Sequence, residues 1–184
     1  FSEVIKAQMS DAINGSDDKP VLLKRLADFI DQHHKLSSIK DLCLQSADEL
    51  ISNAIFSAPV DSKGDRLYQD VDRSSNVILP DSKAATFFAY YSDSLMVIGC
   101  EDKYGSFNKE GFMRHLDSIF PDERIAPRDD AAGAGIGFKY IIENAANFYL
   151  LVDGKNRSFV ACGFLLKGMK ANLSPNKNFH CSFR

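Results

Sequence analysis

The stretch AATFFAYYSDSLMVIGC, residues 84–100, decides the class of fold. Its two halves, Ala84–Tyr91 and Leu95–Cys100, are rich in the aromatic and β-branched side chains that strands favour. The polar segment Ser92-Asp93-Ser94 lies between them and is short enough for a turn. The spacing therefore predicts an antiparallel β-hairpin.

A second hairpin is predicted towards the C-terminus. Residues Asn147–Asp153 and Ser158–Leu166 have the same kind of composition, and Asp153-Gly154-Lys155-Asn156 contains the residues of a tight turn. Near the other end of the chain, Glu3–Met9 is predicted to form an opening strand. Together these segments indicate a mostly antiparallel sheet.

Four helices are predicted from apolar residues that recur at helical spacing. The first covers 20–34 and has Pro20 in its first turn, where proline is tolerated. The second begins at a Ser37 or Ser38 cap and ends before Pro59. The other two run from Asn108 to near Phe120 and over Gly135–Ala146. Helices segregated beside a mostly antiparallel sheet predict an α+β protein built as an α/β sandwich.

Composition excludes several classes of protein. The chain has 184 residues, 45% of them hydrophobic and 26% charged, which is typical of a globular domain and not of a disordered chain, a collagen or a coiled-coil rod. The net charge of −3 gives no support for binding nucleic acid. No apolar run approaches the ~18–20 residues of a membrane span. Because the chain begins at Phe1, we expect a fragment or a processed product.

The cysteines favour a reducing compartment. Cys43, Cys100, Cys162 and Cys181 occur singly, without CxxC spacing, so buried thiols are expected rather than a disulfide framework or a zinc site. This pattern favours a cytoplasmic protein. The expected organisation is one domain over 1–184, with a core at about 20–166 and a basic tail at 167–184.

The first candidate site is on the second helix. Glu49 and Asn53 are four residues apart, so they lie one turn above the other, away from the apolar stripe. A carboxylate accepts a proton or orients a water, and an amide oxygen is a suitable ligand for Mg²⁺. The alternative interpretation is an ordinary solvated helix face.

The second candidate site is the run Gly133-Ala134-Gly135-Ile136-Gly137, which opens a predicted helix. Alternating glycines let backbone N–H groups approach an anion, and the helix N-terminus adds its partial positive charge. The arrangement is typical of a phosphate cradle, although its spacing is not that of the Rossmann fingerprint. A hinge or close helix packing is the alternative.

The third candidate site follows the strand that ends at Cys100. Asp102 leaves this strand and is followed by Gly105. A carboxylate here accepts a hydrogen bond from an amino group such as that of adenine. A simple turn aspartate is the alternative.

In this order, the three segments resemble the histidine-kinase-like ATPase (GHKL) superfamily, which includes gyrase and the histidine kinases. Asp48–Ile55 looks like its N box, Asp102 like the start of its G1 box, and Gly133–Phe138 like its G2 box. Within the superfamily, the helix at Ile39–Ala54 is most similar to that of bacterial anti-sigma-factor serine kinases. The resemblance implies a Bergerat-type fold, which is a two-layer sandwich with a mixed, mostly antiparallel sheet and helices on one face.

The resemblance also assigns roles. It makes Glu49 the catalytic residue that acts as, or orients, the base for phosphoryl transfer. It makes Asn53 the Mg²⁺ ligand and Asp102, with Gly105, the adenine contact. Gly133, Gly135 and Gly137 would lie at the phosphates of ATP or ADP, with residues 106–132 as a lid.

The resemblance further implies a regulatory protein partner, such as a sigma factor, an antagonist or a receiver domain, and it allows a homodimer. One departure bears on the site. The G1 pattern D-x-G-x-G is replaced by Asp102-Lys103-Tyr104-Gly105-Ser106. This departure leaves two hypotheses: a Mg-nucleotide-binding regulatory domain, and a degenerate module that binds only a protein partner. An active ATPase or sensor kinase core ranks last, because no phosphoacceptor hairpin is present in the sequence.

Overall fold

The computed structural model describes residues 4–68, 70–107, 109–110, 112–113, 116, 136–153, 156–167, 169–173 and 177–183. These residues form an α+β domain with an open, six-stranded mixed sheet of order β1-β2-β3-β5-β4-β6. The strands are β1 (Ala7–Ile13), β2 (Ala85–Tyr91), β3 (Leu95–Asp102), β4 (Asn147–Asp153), β5 (Arg157–Leu165) and β6 (Asn178–Phe183). The α-helices are α1 (Asp18–Asp31), α2 (Lys40–Ser52), α3 (Ile136–Asn144) and α4 (Met169–Asn172).

Both predicted hairpins are confirmed. Strands β2 and β3 pair antiparallel with Tyr90 opposite Val97, and β4 and β5 pair antiparallel with Tyr149 opposite Ala161. Strands β3 and β5 also pair antiparallel and join the two hairpins at the centre of the sheet. The prediction of a mixed, mostly antiparallel sheet is therefore confirmed.

Helices α1, α2 and α3 pack on one face of the sheet, called here the core face. Apolar residues of α1, α2 and α3 form one buried cluster with strand residues such as Phe87, Ile98 and Cys162. Strand side chains alternate between the two faces, so the residues between these point to the opposite side, called here the outer face. Phe88 and Ala161 are buried on that side, outside the cluster.

The first two helices begin and end at residues other than those predicted. Helix α1 begins at Asp18, so Pro20 lies in its first turn as expected. The second predicted helix is divided into the 3-10 helix His34–Ile39, α2, and the π-helix Asn53–Ser57. The predicted helix over 108–120 and the loop at 121–134 lie largely or wholly outside the described residues.

The C-terminal segment contributes to the sheet. The sequence predicted a basic tail over 167–184, whereas β6 pairs in parallel with β4, with His180 opposite Tyr149. Before it, Asn172 of α4 exchanges hydrogen bonds with the backbone N–H and carbonyl of Leu165 at 2.7 and 2.9 Å. No helix in the described part of the chain has the length and apolarity needed to cross a membrane.

Candidate functional site

Two of the predicted site residues meet where α2 packs against α3. A methyl group placed on Gly137 would lie 1.8 Å from the carboxyl carbon of Glu49. The Glu49 carboxylate therefore lies directly against the Cα atom of Gly137, the second residue of α3, and its side chain is only 20% exposed. The partial positive charge at a helix N-terminus favours an anion in this place. Only glycine leaves room for the carboxylate here.

Arg73 is the charged partner of this carboxylate. Its Nη1 lies 3.5 Å from Oε2 of Glu49, and its side chain is 54% exposed. Arg73 belongs to the irregular segment before β2, and sequence reasoning did not select it. No motif marks it, since only the folded chain brings it to α2.

Asn53 begins the π-helix. The Ala58 N–H donates to the Asn53 carbonyl at 2.8 Å, which is the wider i→i+5 bond of a π-turn. Such π-turns are rare in proteins, and many of those that do occur lie at functional sites. The Ser57 hydroxyl donates to Asn53 Oδ1 at 3.2 Å, while Nδ2 is buried with no partner among the described residues.

The Asn53 amide fits the donor that Mg²⁺ requires. If the amide turns by half a rotation, Nδ2 donates to the Ser57 hydroxyl and Oδ1 takes the unpartnered position. Mg²⁺ needs few protein ligands, because it keeps several waters and binds substrate phosphates. Among the described residues no group of three or more His, Cys, Asp or Glu side chains forms a metal cluster. A Mg²⁺ ion held here would thus depend on Asn53 and on the phosphates.

A second arginine, Arg66, contacts the C-terminal end of the π-helix from the segment that follows it. Arg66 Nη1 donates to the Ser57 carbonyl at 2.8 Å and satisfies one of the free carbonyls at the end of the π-helix. Arg66 and Arg73 therefore place two guanidinium groups along the helix that carries Glu49 and Asn53. Guanidinium groups are the usual partners of phosphate oxygens.

Asp102 is the last residue of β3 and is 7% exposed. Its Oδ1 accepts the backbone N–H groups of Tyr104 at 2.8 Å and Gly105 at 3.2 Å, closing a turn in which Gly105 has a φ of +64°. Burial raises the pKa of the Asp102 carboxyl, and these two backbone N–H bonds lower it in part. The carboxylate is therefore engaged by its own loop.

Tyr104 and Ser106 stand where the resemblance expects the G1 glycines, and both side chains make contacts of their own. The Tyr104 hydroxyl is buried without a partner among the described residues, and Lys83 Nζ lies 4.9 Å from the centre of its ring. The Ser106 hydroxyl donates to the Ala58 carbonyl at 2.5 Å. Ser106 thus ties the loop after β3 to the end of the π-helix.

The remaining predictions are only partly covered. Gly133 and Gly135 lie outside the described residues, as does most of the predicted 106–132 lid. Two hollows of about 320 and 340 Å³ in the described part of the chain include none of Glu49, Asn53, Asp102 and Gly137 in their linings. All four cysteines are free, and burial raises the pKa of the Cys43, Cys100 and Cys162 thiols, which makes these three poor nucleophiles.

A comparison with protein-family models and with curated proteins finds no match to this chain. The candidate site therefore depends on the geometry described above.

Proposed function

We propose that this chain is a regulatory domain that binds ATP or ADP with Mg²⁺, with a Bergerat-type fold similar to that of the anti-sigma-factor serine kinases. The observation that carries the proposal is the contact between Glu49 and Gly137. The sequence assigns these residues to two separate motifs, the base and the phosphate loop, and their side chain and backbone lie against each other. A solvated helix face would leave the Glu49 carboxylate in water, whereas its side chain is only 20% exposed.

Each residue has a defined task in this proposal. Asn53 holds Mg²⁺ through its amide oxygen, and Asp102 accepts a hydrogen bond from the adenine amino group. Gly133, Gly135 and Gly137 let the backbone approach the phosphates. Arg73 pairs with the Glu49 carboxylate and helps to orient it. When bound, Mg²⁺ would neutralise phosphate charge.

Phosphoryl transfer would depend on positioning and charge neutralisation. Glu49 would accept the proton of a serine hydroxyl supplied by a partner protein, which we take to be a sigma factor, an antagonist or a receiver domain. Partner binding alone would suffice for regulation, since nucleotide state would then control the contact.

A second candidate function is favoured by the loop after β3. Tyr104 and Ser106 occupy positions where the resemblance expects glycine, and the Ser106 hydroxyl anchors the loop that follows Asp102 by donating to the Ala58 carbonyl. These features fit a degenerate module that keeps the fold, binds no nucleotide and presents a protein-binding surface.

Isothermal titration separates the two functions. The wild-type chain is titrated with ATP and with ADP, with and without Mg²⁺, beside Asn53→Ala and the control Gln45→Ala on the exposed side of α2. The nucleotide-binding proposal expects Mg²⁺-dependent micromolar affinity that falls at least about tenfold, about 1.4 kcal/mol, in Asn53→Ala alone. No heat from a folded wild-type chain contradicts it and favours the degenerate module.

A further inference from the structure

One end of the sheet carries a hollow that the proposed nucleotide site does not use. It lies where four segments of the chain meet, which are the 3-10 helix Asp81–Lys83 before β2, the end of β3, the end of β4 and the start of β5. Its volume of about 340 Å³ is within the range of small-ligand sites. The described residues that line it are Ser82, Lys83, Lys103, Asp153, Asn156 and Arg157.

The lining of this hollow is basic although the whole chain is acidic. Lys83, Lys103 and Arg157 bring three positive charges, and Asp153 is the one carboxylate among the described lining residues. The lining therefore has a net charge of +2, whereas the chain has a net charge of −3. Because these cations cluster against the overall charge of the molecule, the local field in the hollow attracts an anion.

The carboxylate of the lining is engaged by its own turn. Asp153 Oδ1 accepts the backbone N–H of Asn156 at 3.1 Å and that of Arg157 at 3.0 Å, which closes the turn between β4 and β5. Asn156 has a φ of +152° in this turn, a conformation that residues other than glycine rarely adopt. The bonds to Asp153 thus fix the backbone of Asn156 and Arg157 beside the hollow.

Two of the three cations are held in place by the chain itself. Lys83 Nζ donates to the Lys103 carbonyl at 2.5 Å and lies 4.9 Å from the centre of the Tyr104 ring. Arg157 Nε lies 3.2 Å from Oε1 of Glu101 on the neighbouring strand β3. An ammonium group has three N–H donors and a guanidinium has five, so both groups keep donors for a ligand. Because these side chains are already ordered, less conformational entropy is lost when an anion binds.

The other donors of the lining suit a tetrahedral oxyanion. Lys103 is exposed and has no ion pair with any residue that the structure describes. Ser82 adds a hydroxyl group and Asn156 adds an amide. One arginine fork satisfies a planar carboxylate, whereas the phosphate of a monoester has three strong acceptor oxygens and a charge of about −1.5 to −2 at pH 7. The number of donors and the charge of the lining therefore fit a phosphate better than a carboxylate.

We propose that this hollow binds a phosphate dianion, either inorganic phosphate or the phosphate group of a small monoester. The three cations of the lining neutralise the phosphate, and Ser82 and Asn156 donate to its remaining oxygens. The inference does not depend on nucleotide binding at the α2–α3 contact, because no described residue of that candidate site lines the hollow.

NMR titration of the folded wild-type chain with inorganic phosphate, glycerol 2-phosphate and acetate tests the proposal. All three probes are added without Mg²⁺, so the result does not depend on the proposed nucleotide site. We expect saturable shifts of the Lys103 and Arg157 backbone amides, with a dissociation constant of about 1 mM or lower for at least one phosphate probe. Acetate should bind at least about tenfold more weakly. The tighter of the two phosphate probes then distinguishes free phosphate from a monoester.

Weaker binding of both phosphate probes, equal binding of acetate, or shifts that leave these two amides unmoved would overturn the proposal.

Charge-neutralising variants locate the binding site. Lys103→Gln and Arg157→Gln should each weaken phosphate binding at least about tenfold, because each removes one cation and its donors. The matched control is Lys63→Gln, which removes the same charge from an exposed position in the irregular segment before β2 and should bind as the wild-type chain does. Unchanged affinity in either variant of the hollow contradicts the proposal. An equal loss in Lys63→Gln also contradicts it, because attraction would then come from overall charge alone.

Discussion

The two ends of the candidate site use their space differently. At the α2–α3 contact, Gly137 has no side chain, and the Glu49 carboxylate occupies the room that this leaves. A larger residue at position 137 would displace the carboxylate. At the end of β3, the loop around Asp102 is closed by the two backbone hydrogen bonds that Asp102 accepts and by the bond from the Ser106 hydroxyl to the Ala58 carbonyl. The comparison shows that one end of the proposed site places a carboxylate against a glycine, whereas the other end is closed by hydrogen bonds of its own loop.

The largest expected effect is at the adenine end. Asp102→Ala leaves the Tyr104 and Gly105 N–H groups without their acceptor in a buried place, so the free energy of unfolding should fall by about 2 kcal/mol. Asp102→Asn keeps an acceptor oxygen and should cost much less. Chemical denaturation of the three proteins measures this. Equal losses in both variants would mean that the negative charge, rather than the acceptor, holds the loop.

The pH dependence of stability sharpens the same point. Burial raises the pKa of Asp102 above its ordinary 3.8, so the folded state binds this proton more tightly than the unfolded state. Its contribution to stability is therefore complete below pH 3.8 and is lost as pH rises from there through the raised value. Denaturation curves across this window should show a smaller loss for Asp102→Asn than for the wild type. Parallel curves would contradict the assignment.

At the phosphate end, Gly137→Ala should destabilise the wild type by about 1 kcal/mol, because the methyl displaces the Glu49 carboxylate. In a Glu49→Ala background the same change should stabilise by up to about 1 kcal/mol, since alanine is the better helix former. The double-mutant cycle gives the coupling. Additive effects of the two substitutions would show that the Glu49–Gly137 contact has no coupling free energy.

The smallest expected effect is that of Arg73. Its pair with Glu49 is long, at 3.5 Å, and half exposed, so Arg73→Ala should change the free energy of unfolding by less than about 0.5 kcal/mol. Lys63→Ala, an exposed change in the same irregular segment, is the control. If Arg73 contributes to nucleotide binding, Arg73→Ala should weaken the affinity for Mg-nucleotide although it hardly changes the free energy of unfolding. Unchanged binding would remove it from the site.

Local patterns predicted much of the fold, and non-local contacts account for what was missed. Both hairpins were predictable because alternation and short turns are local signals. Strand β6 was missed because it is a short edge strand whose exposed residues gain order from pairing with distant β4. The π-turn at Asn53 was also missed, since helical spacing does not distinguish i→i+4 from i→i+5 bonds. Arg73 reaches Glu49 only through tertiary folding.

The site was predictable only in part for the same reason. The sequence selected Glu49 and Gly137, and their contact depends on how α2 packs on α3. The resemblance expects glycine where Tyr104 and Ser106 stand, but it gives no sign that the Ser106 hydroxyl donates to the Ala58 carbonyl. Such a bond follows from the meeting of β3 with the end of the π-helix.

NMR titration of the folded chain with Mg-ADP tests the central claim most directly. The account predicts saturable shifts of the Gly137 backbone amide and of the Asn53 side-chain amide, with small changes at Val21 on the far side of α1. Saturable binding that leaves Gly137 and Asn53 unmoved, or no binding to the folded chain, would contradict the claim that this contact is the phosphate end of a nucleotide site.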